Sequence, residues 1–136
     1  MKKYILDASV ILTYLIGKNN IVRIEFNKIL KSQKQNKAKF FSTHLLPKEI
    51  GNGLRYSISN QKLAKEILEK SLNLPVTYFE LKPEHYQKIL ELSYKLQTSF
   101  YDTSYHFLAI LLKATFLTCD KRYFQKAKQL KHITLL

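Results

Sequence analysis

Apolar positions along this chain fall into two alternating kinds of run. Short, nearly continuous apolar blocks are separated by longer stretches in which apolar residues return every three or four positions. Residues 3–6 (KYIL), 37–42 (KAKFFS), 74–81 (LPVTYFEL), 115–119 (TFLTC) and 132–136 (HITLL) read as strands. After the first of them, Asp7 stands where a helix N-cap would stand, with Val10, Ile11, Tyr14 and Leu15 at helical spacing behind it and Gly17 as the stop. Residues 20–35 continue as a helix, with Ile21, Ile24, Ile29 and Leu30 expected inward and Lys28, Lys31 and Lys34 outward. Residues 43–59 open with Thr43 as the expected cap and carry Pro47 in the first turn. Gly51 and Gly53 interrupt that pattern at about 1 kcal/mol each against alanine, which a packed neighbour or a close backbone approach would justify. Further helices are expected over 60–72, 83–97 and 101–114, and a short one over KRYFQKAKQL. Short strands separated by long helices imply an α/β fold with a mostly parallel central sheet of four to five strands, covered on both faces.

In such a sheet, ligands gather beyond the carboxyl ends of the strands, and the acids fall there. The chain has only three aspartates. Asp7 follows the first strand, Asp120 follows the fourth, and Asp102 opens the helix that leads into the fourth. Glu49, on the helix after the second strand, is a fourth candidate, with the polar Asn52 beside it. Taken singly, each aspartate is equally a helix cap, and Glu49 a solvent-facing helix residue. Together they place every aspartate at one predicted edge. Crowded carboxylates raise one another's pKa unless a cation neutralises them, and hard oxygen donors suit Mg²⁺ or Mn²⁺. Helix N-termini at Asp7 and Asp102 are expected to favour the ionised forms. Ser9, Thr103 and Thr118 flank the acids and either orient them or make local turns.

Composition narrows the partners. The 136 residues hold 23 Lys+Arg against 10 Asp+Glu, a formal charge of +13. That field attracts polyanions, nucleic acid first, although a merely solvated lysine-rich surface has the same composition. Hydrophobic residues make up 46%, enough for one folded domain over 1–136. Cys119 is alone and cannot make an internal disulfide, which fits a reducing cytoplasm. The opening Lys2, Lys3 and apolar residues imitate a secretory signal, but Asp7 interrupts them and no small-residue cleavage site follows. The charge-free run from Ala8 to Gly17 is too short to span a bilayer, so a soluble, unprocessed protein is expected. Four histidines show no zinc spacing, and no phosphate-binding loop or nucleophile elbow is present. Phe100, Tyr101 and Tyr105 could stack on bases beside Asp102, but their helical spacing favours core packing.

The stretches YILDASVIL (4–12), LLPKEIGNGL (45–54), YDTSYHFLAI (101–110) and FLTCDKRYF (116–124) occur in an order and spacing that resembles the PIN-domain family of metal-dependent ribonucleases. The resemblance is to the small single-domain type that includes the VapC toxins of toxin–antitoxin pairs. It implies a three-layer α/β/α fold and an acidic quartet of Asp7, Glu49, Asp102 and Asp120, acting as metal ligands and catalytic residues. Ser9, Asn52 and Thr118 match supporting polar positions. It also implies one or two Mg²⁺ or Mn²⁺ ions and an RNA substrate. An antitoxin is implied in an apolar groove near Leu15, Ile16, Ile24 and Ile58, and homodimerisation is common in the family. Some members carry a further acid after the last aspartate. Lys121, Arg122, Gln125 and Lys126 stand here instead, which weakens a second metal. A phosphatase with an aspartyl nucleophile is a competing reading, with Ser9 standing where such enzymes carry a second acid. A PIN-like domain that binds RNA or a partner without cutting is another.

Overall fold

The fold was analysed in a computed structural model that describes residues 1–136. Its elements are β1 (Lys2–Leu6), α1 (Ala8–Ile16), α2 (Asn20–Lys34), β2 (Ala38–Thr43), α3 (Leu46–Ser57) and α4 (Gln61–Leu72). They are followed by β3 (Val76–Phe79), α5 (Pro83–Leu96), α6 (Phe100–Leu112), β4 (Thr115–Thr118), α7 (Lys121–Ala127) and β5 (Ile133–Leu135). A single 3₁₀ turn, Lys128–Leu130, joins the last two. The five strands form one sheet in the order β3-β2-β1-β4-β5, and every pairing is parallel. Helices flank the sheet, as the alternation of elements predicts. β1 runs down the middle, and Ile5 and Leu6 are fully buried because both faces of a central parallel strand are covered.

The chain winds from β1 outward to β3, then returns to β4 on the other side of β1. This reversal makes the gap between the carboxyl ends of β1 and β4 a topological switch point, the place where open α/β sheets form crevices. α6 lies across β1, β2 and β4. It buries Tyr105, Leu108 and Ala109 completely, and its N-terminus comes up beside that crevice. The Ser42 hydroxyl donates to the Leu6 carbonyl at 2.7 Å and ties the same ends of β2 and β1 together.

Several local expectations are corrected. Ile21 and Ile24 face outward, at 71% and 55% exposure, while Val22 and Phe26 take the buried side of α2. Phe26 wins because it meets two rings at once, the edge of Tyr14 (5.0 Å) and the face of Phe40 (6.1 Å). Thr43 does not cap α3. It ends β2, and its hydroxyl accepts from the Leu45 amide at 3.3 Å. The third strand shortens to Val76–Phe79, since Pro75 has no amide to give the ladder. α6 begins one residue early, capped by Ser99, so Asp102 lies in its first turn.

Gly53 is explained by packing: a Cβ there would lie 2.5 Å from Leu12 Cδ1, where α1 crosses α3. Gly51 has open space around it, and nothing in the structure explains it. No helix is long and apolar enough to cross a membrane. Replacing Gly53 by valine should wedge α1 from α3 and cost about 2 kcal/mol, as overpacked contacts do. A shift in denaturant midpoint reads this, and adding Leu12→Ala to the same chain should recover part of the loss.

Candidate active site

Asp7 explains why an acid sits inside the apolar N-terminal run. It ends the central strand, is 5% exposed, and spends both oxygens on fixed partners. Oδ1 accepts from the Val10 amide (3.1 Å), which caps α1, and from the Ser9 hydroxyl (2.6 Å). Oδ2 accepts from the Thr118 hydroxyl (2.9 Å) at the end of β4. Ser9 Oγ in turn accepts from the Cys119 amide, and Thr118 Oγ1 from the Asp120 amide. Ser9 and Thr118 are thus more than turn residues: they lock the β1 and β4 ends around one carboxylate.

The other acids gather around it. Asp120 caps α7 through the Tyr123 amide (3.0 Å). Asp102 is half-buried on the first turn of α6. Glu49, on the first turn of α3, accepts from the Tyr105 hydroxyl, a contact between α3 and α6. Tyr105 is core, as its helical spacing favours, and it is also a positioning residue for Glu49. Its signal was present: it lies three residues after Asp102, on the same helical face. Asn52 is exposed one turn after Glu49 on α3 and makes no side-chain hydrogen bond.

Electrostatics join the four acids. Burial pushes Asp7 up to about 6, against the hydrogen bonds from Ser9, Val10 and Thr118, and Asp102 raises it further. Burial also raises Glu49 and Asp102, and charge repulsion adds to each: Asp102 acts on Glu49, and Asp120 on Asp102. Helix N-termini were expected to favour the ionised forms; at Asp7 and Asp102 desolvation outweighs that attraction.

These couplings describe an acidic rim rather than a closed cage. No three Asp, Glu, His or Cys side chains stand close enough to ligate one ion among themselves. The donor chemistry nonetheless fits a hard divalent cation, because Mg²⁺ usually keeps several waters and takes only one or two carboxylates plus substrate phosphate. Beside the rim lies a cleft of about 340 Å³ lined by Asp102, Asp120, Ser99, Arg122, Tyr123 and Lys126 among others. Lys126 is tethered there by donating to the Gln97 carbonyl at 2.7 Å. Carboxylates and cations thus share one wall.

Residues 4–130 match the PIN domain family, and the chain belongs to it. Over 124 residues it is 27% identical to ribonuclease VapC1 of Mycobacterium tuberculosis, covering 90% of this chain and 89% of that protein. Among solved structures, it resembles VapBC2 from Rickettsia felis, solved bound to a DNA fragment from their promoter. That match has a TM-score of 0.71 and 15% identity, over 98% of this chain and 97% of that one. DNA-bound VapBC from Salmonella typhimurium gives a TM-score of 0.68 and 17% identity, over 100% and 98% of the two chains. Those two likenesses establish the fold.

The raised Asp7 has a consequence for stability. A folded-state value of about 6 against 3.8 means that folding favours the protonated acid. The stabilisation is complete below about pH 3.8 and is lost as pH rises through about 6. Asp7→Asn removes this loss, so without divalent metal the variant should gain on the wild type between pH 5 and pH 8 by about 1.4 kcal/mol. Denaturant melts in EDTA at both pH values measure the gap; an unchanged gap would mean that Asp7 ionises freely.

Proposed function

We propose that this PIN domain is a divalent-metal-dependent endoribonuclease that cleaves RNA phosphodiesters with an activated water. The observation that carries this reading is the acidic rim at the β1/β4 switch point. Its four acids are coupled in a chain through Asp102, inside a molecule of formal charge +13. A polyanion is drawn to such a surface, and only a strand of phosphates has reason to approach both the cations and the acids.

Asp7 and Asp102 would hold the cation, with Glu49 and Asp120 reaching it through water. A cation bound there supplies charge neutralisation at the scissile phosphate and lowers the pKa of a coordinated water. The chain's own residues do the rest. Ser9 and Thr118 fix the direction of the Asp7 carboxylate. Tyr105 holds Glu49, whose raised pKa suits it to take the proton from the attacking water. Arg122 and Lys126 sit in the cleft with Asp102 and Asp120, placed to contact the phosphate. In-line attack then leaves a 5′-phosphate and a 3′-hydroxyl. The hydroxyls paired with Asp7, those of Ser9 and Thr118, each also accept from a backbone amide and serve in this reading to brace the carboxylate rather than as covalent nucleophiles. The phosphatase reading finds no second acid beside Asp7, whose neighbours are Ala8 and a Ser9 already bonded to it.

A labelled RNA should be shortened in Mg²⁺ or Mn²⁺ and left intact in EDTA. Asp7→Asn and Asp102→Asn should reduce the rate by at least about 10³-fold, and Tyr105→Phe more mildly, through Glu49. Gel shifts without cleavage in the wild type would instead mark a non-catalytic binder.

The toxin reading adds a cytoplasmic setting and a protein partner that masks the site. Ile24 is exposed on α2, with Leu15, Ile16 and Ile58 half-buried nearby in sequence or fold. An apolar hole of about 70 Å³, lined by Ile11, Tyr14, Leu15, Phe26, Leu30 and Leu74, opens between α1 and α2. An amphipathic helix from an antitoxin suits such a surface. Co-expression with the product of any short reading frame adjoining the gene tests this. Ile24→Asp should reduce copurification about tenfold or more, and retention of the partner would place it elsewhere.

A further inference from the structure

A second hollow lies on the other side of the α6 N-terminus. It encloses about 530 Å³, within the usual range for small-molecule sites. Phe100 faces Tyr86 at 6.1 Å with ring planes 23° apart, and Tyr101 meets Phe100 edge-on at 6.5 Å. Tyr86 and Tyr101 are 46% and 57% exposed, so their rings are open to a ligand. Lys48 stands on the same wall and makes no ion pair or hydrogen bond; the molecule's one salt bridge is Lys28–Glu25. The hollow adjoins the acids through the chain itself: Lys48 precedes Glu49 and Tyr101 precedes Asp102.

We infer that this hollow is a nucleotide subsite, in which an unpaired base next to the scissile phosphate lies against Tyr86, Phe100 and Tyr101 while Lys48 holds its phosphate. The inference rests on the ribonuclease reading and adds which residues of this chain hold one unpaired base turned out of its stack. Aromatic faces take any base in this way, and a duplex cannot offer one. The mixed lining favours a nucleotide over an apolar protein face, since Lys48, His44, Glu80 and Ser104 interrupt the rings.

The experiment measures binding in the Asp7→Asn chain, so cleavage does not interfere. The probe is a short single-stranded RNA carrying one 2-aminopurine, moved position by position, against a blunt RNA duplex of the same length. At one position the fluorescence should be quenched on binding. Tyr101→Ala and Tyr86→Ala should abolish that quenching and weaken single-strand binding roughly 5- to 100-fold while leaving duplex affinity alone. Lys48→Ala should flatten the salt dependence by about 0.7 in log–log slope. Thermal melts check that the variants fold. Unchanged affinity and quenching in both tyrosine variants overturn the subsite, as does a loss of self-association on sizing without a loss of single-strand affinity. A chain that cuts RNA yet ignores both substitutions loses the subsite and keeps the nuclease; one that neither binds nor cuts RNA loses both.

Discussion

The structure is organised around one carboxylate at the end of the central strand. Asp7 is buried where apolar strand gives way to helix, and it survives there because three groups donate to it, its own helix's amide at Val10 and the hydroxyls of Ser9 and Thr118, while the amides of Cys119 and Asp120 hold those two hydroxyls. Hydrogen bonds of this kind offset part of the desolvation penalty but not all of it, as the upward shift of Asp7 records. The same bonds join β1 to β4 across the switch point. The crevice and its buried acid therefore share one set of hydrogen bonds.

Around that point the charges are sorted rather than paired. A chain with 23 Lys+Arg and 10 Asp+Glu makes one salt bridge, between exposed residues on α2. The cations stand on the surface, while Asp7, Glu49, Asp102 and Asp120 withdraw toward the crevice. On the proposed reading, the surface field would draw a phosphate chain in, and a divalent cation would let the acids meet it. Arg122 and Lys126 line the cleft beside Asp102 and Asp120, so the protein's own cations stand next to the acids there. α6 divides the region: its first turn carries Asp102 toward the cleft and Tyr101 toward the aromatic hollow, because adjacent residues on a helix point about 100° apart.

Much of this was legible from residue order. The alternation of apolar blocks with helical periodicity gave the parallel sheet, since buried parallel strands are continuous apolar runs. The caps at Asp7 and Asp120 were readable because a strand–Asp–helix junction is a local event. The shared edge of the four acids followed from topology alone. In this case the bland reading and the functional one are compatible: Asp7 and Asp120 both cap helices and face the rim.

Other features needed the folded chain. Two overlapping apolar stripes run along α2, one through Ile21 and Ile24 and one through Val22 and Phe26; only the rings of Tyr14 and Phe40 select the second. Tyr105 donating to Glu49, Leu12 excluding a side chain at Gly53, and the hollow at Tyr86 and Phe100 all join residues distant in sequence. The sequence by itself determined which elements form and at which edge the acids stand, because helix periodicity, capping and strand burial act over a few residues. Only the tertiary structure decided which face of α2 is buried, how far burial lifts the acids, and that the rim is open rather than a cage, because desolvation and long-range contacts exist only once the helices close over the sheet.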